Sequence, residues 1–386
     1  MKTKTKNKPA KYEGFEQGPI RPPSEASSLL IRATRNCPWN KCVFCPVYKK
    51  RKFSVRPVEH VIKDIKAVKK HLDEILEIAG DEKNINRTDL QNYLRTVSND
   101  QMPTLNAAWN WFINGTKSIF IQDANSLIMK PADLITILSF IKESFPFAKR
   151  ITSYARSHTI ARISDKNMQA IVKAGLNRIH IGLESGSNEV LAMVKKGSDK
   201  NSHIKAGKKV IQAGAELSEY IMPGLGGVKL SETHVIETAD ALNKINPHFI
   251  RLRTFAVRTN SPLYTQTDFK KCNDVATVKE ILFLIQNLKG ITSIIKSDHI
   301  LNLFQEVEGQ MPQDKEKMTA ILENFLSMEP KEQVIWQVGR RIGMLGKITD
   351  ASLPNQLTTV KKECEKLGIT EHNVDKFIEE AMNRFV

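Results

Sequence analysis

The chain has 386 residues, 41% of them hydrophobic, enough for a barrel-sized domain with a smaller companion. Its 58 Lys and Arg outnumber 42 Asp and Glu, a net charge of +16, and the first sixty residues hold 14 basic against 4 acidic side chains; such an excess attracts an anionic substrate or a nucleic-acid backbone. No apolar run approaches a membrane span, no apolar signal core opens the chain, and five cysteines with three clustered do not make a secreted disulfide framework, so the expectation is a cytoplasmic protein with no membrane partner.

Residues 1–27 read as a basic N-terminal tail, with Lys alternating with Thr, Asn and Pro up to Lys11. A short strand is predicted over 29–34. It feeds a loop with the spacing Cys37-x4-Cys42-x2-Cys45, in which Phe44 precedes the third cysteine. Three thiolates on one short loop can hold three corners of a four-iron cluster, whereas a cluster used only for electron transfer normally takes four. The basic run Lys49-Lys50-Arg51-Lys52 follows. Val58, Val61, Ile62, Ile65, Val68, Leu72, Ile75 and Leu76 then recur at helical spacing behind Pro57, whose missing N–H does no harm at a helix start. The polar stretch from Asp81 and the segment Trp109-Asn110-Trp111-Phe112 read as a helical insertion over about 81–115.

From there strands alternate with helices. Strand-like runs fall at 117–123, 149–154, 178–184, 216–222 and 248–255. Helical stripes lie between them: Leu134, Ile137, Leu138 and Ile141 behind Pro131; Met168, Ile171 and Val172 closed by Gly175; Val235, Ile236, Ala239 and Leu242 opened by Ser231. This rhythm means βαβ units and a parallel sheet. Arg178, His180, Gly182 and Glu184 share one strand face, and Arg251 and Arg253 share another, so a polar face lining a wet cavity is expected. No strand is expected beyond 273. Ser297-Asp298-His299 reads as a helix start or a group facing the cavity, and Asp350–Gln356 as a turn. The fold expected is α/β, a partial (β/α)6 TIM-like barrel over 28–272 with an α-helical C-terminal region over 273–386.

Ligands of parallel α/β folds bind at the carboxyl ends of the strands. There the sequence places the cysteine loop, Gln122-Asp123-Ala124-Asn125-Ser126, Ser153 and Tyr154 with Arg156 just beyond, Glu184-Ser185-Gly186-Ser187, and Met222-Pro223-Gly224-Leu225-Gly226-Gly227. With the cysteine triplet, the runs Ile181–Ser187 and Tyr220–Gly226 give a chain that resembles the radical S-adenosylmethionine (SAM) enzymes over about 28–265. Within them it is similar to the branch of the methylthiotransferases, the elongator catalytic subunit and oxygen-independent coproporphyrinogen oxidase. The first cysteine gap has one residue more than usual, and Gln122-Asp123-Ala124-Asn125 replaces the familiar Gly-Gly-Glu.

The resemblance implies that Cys37, Cys42 and Cys45 ligate a 4Fe-4S cluster and that SAM chelates the open iron. Asp123 or Asn125 would accept from the SAM amino group. Ser153 and Arg156 would lie by its carboxylate or ribose, and Glu184 by its ribose or amino-acid end. Phe44, Met222 and Pro223, with the backbone near Phe255, would border the adenine. Reductive cleavage of SAM would give a 5′-deoxyadenosyl radical that abstracts a substrate hydrogen, the cofactor carrying the hard chemistry. The substrate would be a small molecule or RNA, the electron donor of flavodoxin or ferredoxin type, and no catalytic residue beyond the cluster ligands is assigned. The alternative is a basic RNA-binding protein without catalytic activity, stapled by zinc, with His60 as the nearest fourth donor.

Overall fold

The computed structural model describes residues 11–80, 86–256, 261–263, 268–348 and 354–382; the expected tail over 1–10, the start of the insertion at 81–85 and the turn at 350–353 lie outside them. In chain order the elements are β1 (Leu29–Arg32), β2 (Thr34–Arg35), β3 (Ser54–Val55), α1 (Val58–Ala79), α2 (Arg87–Thr96), α3 (Met102–Ile113), β4 (Ser118–Gln122), α4 (Pro131–Ser144), β5 (Arg150–Ala155), α5 (Ser157–Ile160), α6 (Asp165–Lys173) and β6 (Arg178–Glu184). They continue as α7 (Asn188–Met193), α8 (Lys200–Gln212), β7 (Glu216–Ile221), α9 (Gly227–Ile245), β8 (Phe249–Leu252), α10 (Asp274–Asn287), β9 (Ile294–Lys296), β10 (Gly309–Gln310), α11 (Lys315–Ser327), α12 (Pro330–Arg341), α13 (Pro354–Leu367) and α14 (Val374–Met382). The fold is α/β with mostly parallel strands, and all six expected strands are present as β1 and β4–β8. Two compact units divide the chain. One runs to Pro38 and takes in Lys50–Ala155 and Ser164–Ile179; the other takes in Trp39–Lys49, Arg156–Ile163 and the chain from His180 onward.

In the first unit β1 pairs with β4 and β4 with β5, all parallel, with Ile31 opposite Ile121 and Ile121 opposite Ser153. Every residue of β4 is buried, as a parallel strand covered on both faces requires. Helix α1 starts directly after Pro57 and buries Val61, Ile65, Val68, Leu72 and Ile75, while Leu76, expected in the stripe, is largely exposed. The segment Trp109–Phe112 belongs to α3, where Trp111 is buried edge-on to Phe145 at 5.0 Å. The N-terminal segment is held by charge: the Glu16 carboxylate meets Arg32 at 3.3 Å, Arg35 at 2.6 Å and Arg56 at 2.5 Å.

In the second unit β7 pairs with β8 and β8 with β9, both parallel, and β10 runs antiparallel to β9. The last two strands correct the expectation of none beyond 273. They are three and two residues long, too short for a period-2 signal to rise above the surrounding helical pattern. Helix α9 starts at Gly227, four residues before Ser231, because that hydroxyl binds the buried Glu280 carboxylate and caps nothing. Of the residues expected on wet strand faces, Arg253 is exposed, Arg178, Gly182 and Glu184 are partly buried, and His180 and Arg251 are buried. His180 is fully buried edge-on to Tyr220, and Arg251 donates to Ser218 at 3.1 Å and pairs with Asp298 at 2.6 Å. Polar side chains that satisfy one another can close a face that the sequence reads as open. No helix starts at 297–299; Ser297 bonds the Phe304 carbonyl.

Candidate active site

The cysteine loop leaves and re-enters the first unit through a two-residue antiparallel ladder, Thr34 opposite Val55 and Arg35 opposite Ser54. Asn36 and Asn40 take φ of 67° and 49°, a region that Asn tolerates better than most residues. Each amide side chain holds a return strand of the loop: Asn36 donates to the Lys52 carbonyl at 2.6 Å, Asn40 to that of Tyr48 at 2.5 Å. Lys49 reaches the Asn40 and Cys42 carbonyls at 3.0 and 2.7 Å, so the first cation of the basic run is structural, while Lys50, Arg51 and Lys52 are exposed.

Asp123 does not lie open at its strand end. It is buried, paired with Arg32 at 2.7 Å, and accepts the Asn36 N–H at 3.1 Å. It thereby holds the backbone of the residue before Cys37. Asn125 is fully buried one turn further on. Ser153 is fully buried too and gives its hydroxyl to the Ile121 carbonyl at 3.1 Å.

In the second unit the remaining expected residues gather. Glu184 closes β6 at φ 64°, the left-handed region where strain marks functional positions more often than others. Its carboxylate pairs with Lys196 at 3.0 Å, not with Lys195 as sequence proximity suggests; Lys195 takes a positive φ (54°) in the turn after α7. Its carbonyl accepts the Met222 N–H at 3.0 Å, which ties the β6 and β7 strand-end motifs together. A Cβ at Gly182 would lie 2.2 Å from a Glu184 carboxylate oxygen, the far end of a flexible side chain that can turn aside. Gly182→Ala should therefore displace the Glu184–Lys196 pair and cost less than about 1 kcal/mol in urea denaturation.

Phe44, Met222 and Phe255 meet in one apolar cluster with Val43, Val190, Val194, Leu225 and Leu263. Phe44 stands edge-on to Phe255 at 6.4 Å, and Phe255 donates its N–H to the Pro223 carbonyl at 2.8 Å. The four residues expected around an adenine are thus together. The loop is pinned to this cluster by Val43 N–H to the Val194 carbonyl (3.1 Å) and by Ser261 to the Val43 carbonyl (2.7 Å). Arg156, the residue before α5, donates to the Lys196 carbonyl at 2.5 Å and lies 5.0 Å over the Trp39 ring.

Cys37, Cys42 and Cys45 are half-buried thiols. Burial pushes the Cys42 thiol up, and the Lys196 and Arg156 charges pull it back down. Trp39, Lys196 and Arg32 were not picked out by the sequence reading; the one available signal was a tryptophan inside the cysteine spacing. Glu219 on β7 was missed as well. It is fully buried, neither carboxylate oxygen has a hydrogen-bond partner among the described residues, and burial holds it well above the usual carboxylate range.

Beneath the two motifs lies a buried polar chain. Glu280 accepts the Gly224 N–H at 2.5 Å and the Ser231 hydroxyl, stands 3.6 Å from His234 Nε2, and His234 Nδ1 meets Ser185 Oγ at 2.8 Å. Burial raises Glu280 from 4.5 to about 7. A carboxyl raised on folding binds more protons in the native state between those values, so this group's stabilisation is present at low pH and is lost as pH rises towards 7. Comparing Glu280→Gln with the parent by urea denaturation from pH 4.5 to 7.5 should show that slope, up to about 3 kcal/mol, in the parent alone.

The chain belongs to the Radical SAM superfamily, whose profile matches residues 31–240. It is an enzyme of that superfamily, with the α/β fold class expected. It is 28% identical over 233 residues to 4′-phospho-dehydrooxetanocin synthase of Priestia megaterium, which covers 56% of this chain and 27% of that protein. It is 33% identical over 64 residues to tRNA uridine(34) acetyltransferase of Methanocaldococcus infernus, 17% of this chain and 12% of that protein. The chain therefore spans about a quarter or less of these curated relatives. Coproporphyrinogen III oxidase from Escherichia coli, a radical SAM enzyme, matches in structure with a TM-score of 0.44 at 14% identity, over 67% of this chain and 52% of that one.

The superfamily implies a 4Fe-4S cluster and SAM, and the donors fit. Thiolates are the usual ligands of such clusters, and three half-buried thiols stand within nine residues on one loop. Among the described residues no three His, Cys, Asp or Glu side chains converge as on a single ion. Cysteines that each bind a different iron of a cluster need no such convergence. His60, the fourth donor of the zinc alternative, is buried on α1 with its ring 5.4 Å from that of Tyr12. No helix among the described residues is long and apolar enough to cross a membrane.

Proposed function

We propose that this protein is a single-cluster radical SAM enzyme whose cluster is held by Cys37, Cys42 and Cys45. When bound, the cluster and SAM supply reductive cleavage of the sulfonium and, through it, hydrogen-atom abstraction. The residues do the rest. Lys196 pairs with Glu184, and Arg156 holds the Lys196 carbonyl and covers the Trp39 ring inside the cysteine spacing. Phe44, Met222, Pro223 and Phe255 offer a dry apolar wall for an adenine ring. Glu184, held by Lys196 beside that wall, orients the ribose or amino-acid end, and Arg156 the carboxylate. Asp123 or Asn125 accepts from the SAM amino group, and Ser153 lies by its carboxylate or ribose. The observation that carries this reading is the superfamily match spanning a loop of three thiols, one of them faced by two cations.

The substrate we infer is anionic, a phosphorylated small molecule or RNA. The net charge of +16 and the exposed Lys50, Arg51 and Lys52 support this, as do the phospho-compound and tRNA in the names of the two curated relatives. An acidic electron donor of flavodoxin or ferredoxin type suits the same charge.

Anaerobic purification tests the metal. The reading expects about four irons and four sulfides per chain with broad brown absorption. A colourless protein carrying about one zinc would replace it with the stapled RNA-binding reading.

A further inference from the structure

Trp39 sits between the first two cysteines, and its surroundings are unusually complete for a loop residue. Its ring lies on Gly197, where a Cβ would come within 2.3 Å of the indole, and Gly197 itself takes φ 70°. Its Nε1–H donates to the Lys195 carbonyl at 2.7 Å. The Arg156 guanidinium covers the ring at 5.0 Å and bonds the Lys196 carbonyl, and Lys41 also lies 5.0 Å from the ring centre. One side chain thus meets Lys195 and Gly197 and is covered by Arg156, which bonds the carbonyl of Lys196 between them.

We propose that Trp39 is a positioning residue: a clamp that shuts the cysteine loop onto the 195–197 turn, seats Arg156 on its ring and keeps Cys42 covered. The proposal rests on the reading of this loop as the cluster site, but the clamp is a property of the chain alone and can be measured without metal. Gly197 is the seat and Trp39 the bolt. A side chain at 197 and a missing ring at 39 should therefore open the same contact, and the second lesion should add little to the first.

The experiment is alkylation of the full-length metal-free protein with iodoacetamide at fixed pH, read at each cysteine by peptide mass spectrometry. The buried Cys364 serves as the internal gauge of global unfolding. Trp39→Ala and Gly197→Ala should each speed modification of Cys42 by about tenfold through local opening, with Cys364 unchanged. The double variant should match Trp39→Ala to within about twofold, because coupled residues do not add. Trp39→Phe, which keeps a ring on Gly197, should recover most of the protection. After anaerobic loading with iron and sulfide, Trp39→Ala should lose its visible absorption in air about fivefold faster than the parent, as expected of a more solvent-open cluster.

Equal Cys42 rates in all variants would overturn the clamp. So would multiplying effects of the two single substitutions, or acceleration accompanied by exposure of Cys364. A parent protein that takes up no cluster would instead sink the cofactor reading, while the alkylation result still decides the clamp.

Discussion

Cys42→Ala abolishes the brown absorption and brings SAM cleavage to background, a loss of more than about a thousandfold in rate. The variant removes one of the three loop thiols, and Cys37 and Cys45, the other two, would each already hold an iron of their own. Cys272→Ala is the matching control. Cys272 is half-buried, and burial pushes its thiol up to about 12, the state of an inert thiol. That variant should keep its iron and its rate within about twofold of the parent. Iron analysis and the visible spectrum of the two proteins, purified side by side without oxygen, check the pair of expectations. A coloured, active Cys42→Ala protein would remove the loop from the chemistry.

Arg56→Ala unfolds the first unit more readily than any exposed substitution does. The guanidinium and the Asp64 carboxylate are almost entirely buried and meet at 2.6 Å; Tyr12 donates to the other Asp64 oxygen at 2.7 Å, and Glu16 reaches Arg56 at 2.5 Å. Removing the cation leaves a buried carboxylate uncompensated, a cost of about 3–5 kcal/mol. Lysine should not repair it, because the contacts come from two different nitrogens of a planar fork. The loss has a pH signature. Burial holds Asp64 above its ordinary value even beside Arg56. Without the arginine the native state binds its proton more tightly still, so the variant regains stability as pH falls and loses it as pH rises. Urea denaturation of parent and variant at pH 7 and pH 5 measures both effects, and a gap that stays the same at the two pH values would contradict the assignment.

What the sequence disclosed and what it hid follow from the range over which each signal acts. Strand β6 was legible to the residue because its apolar residues alternate at period 2, and β4 nearly so because a parallel strand covered on both faces reads as an apolar run. Pro57 and Pro131 marked helix starts because the missing N–H is a local property. Local signals also misled. Ser231 looked like a helix cap, but its hydroxyl is claimed by Glu280, 49 residues away. Strand β9 exists because Phe249, Ile250 and Arg251 of β8 supply a ladder for it, and three residues carry no pattern of their own. At the site, Phe44, Glu184, Met222 and Pro223 were singled out through their motifs, which are local signals. The engagement of Asp123 by Arg32 spans 91 residues, and the seat of Trp39 on Gly197 depends on a glycine whose need shows only when the ring is in place. Contacts of that kind leave no mark in a single chain.

The measurement that bears most directly on the account is the yield of 5′-deoxyadenosine from the anaerobically loaded protein given SAM and a strong reductant. Formation of 5′-deoxyadenosine and methionine in equal amounts, dependent on the reductant and absent from the Cys42→Ala protein, is the predicted result. A fully iron-loaded protein that leaves SAM intact under those conditions would contradict it.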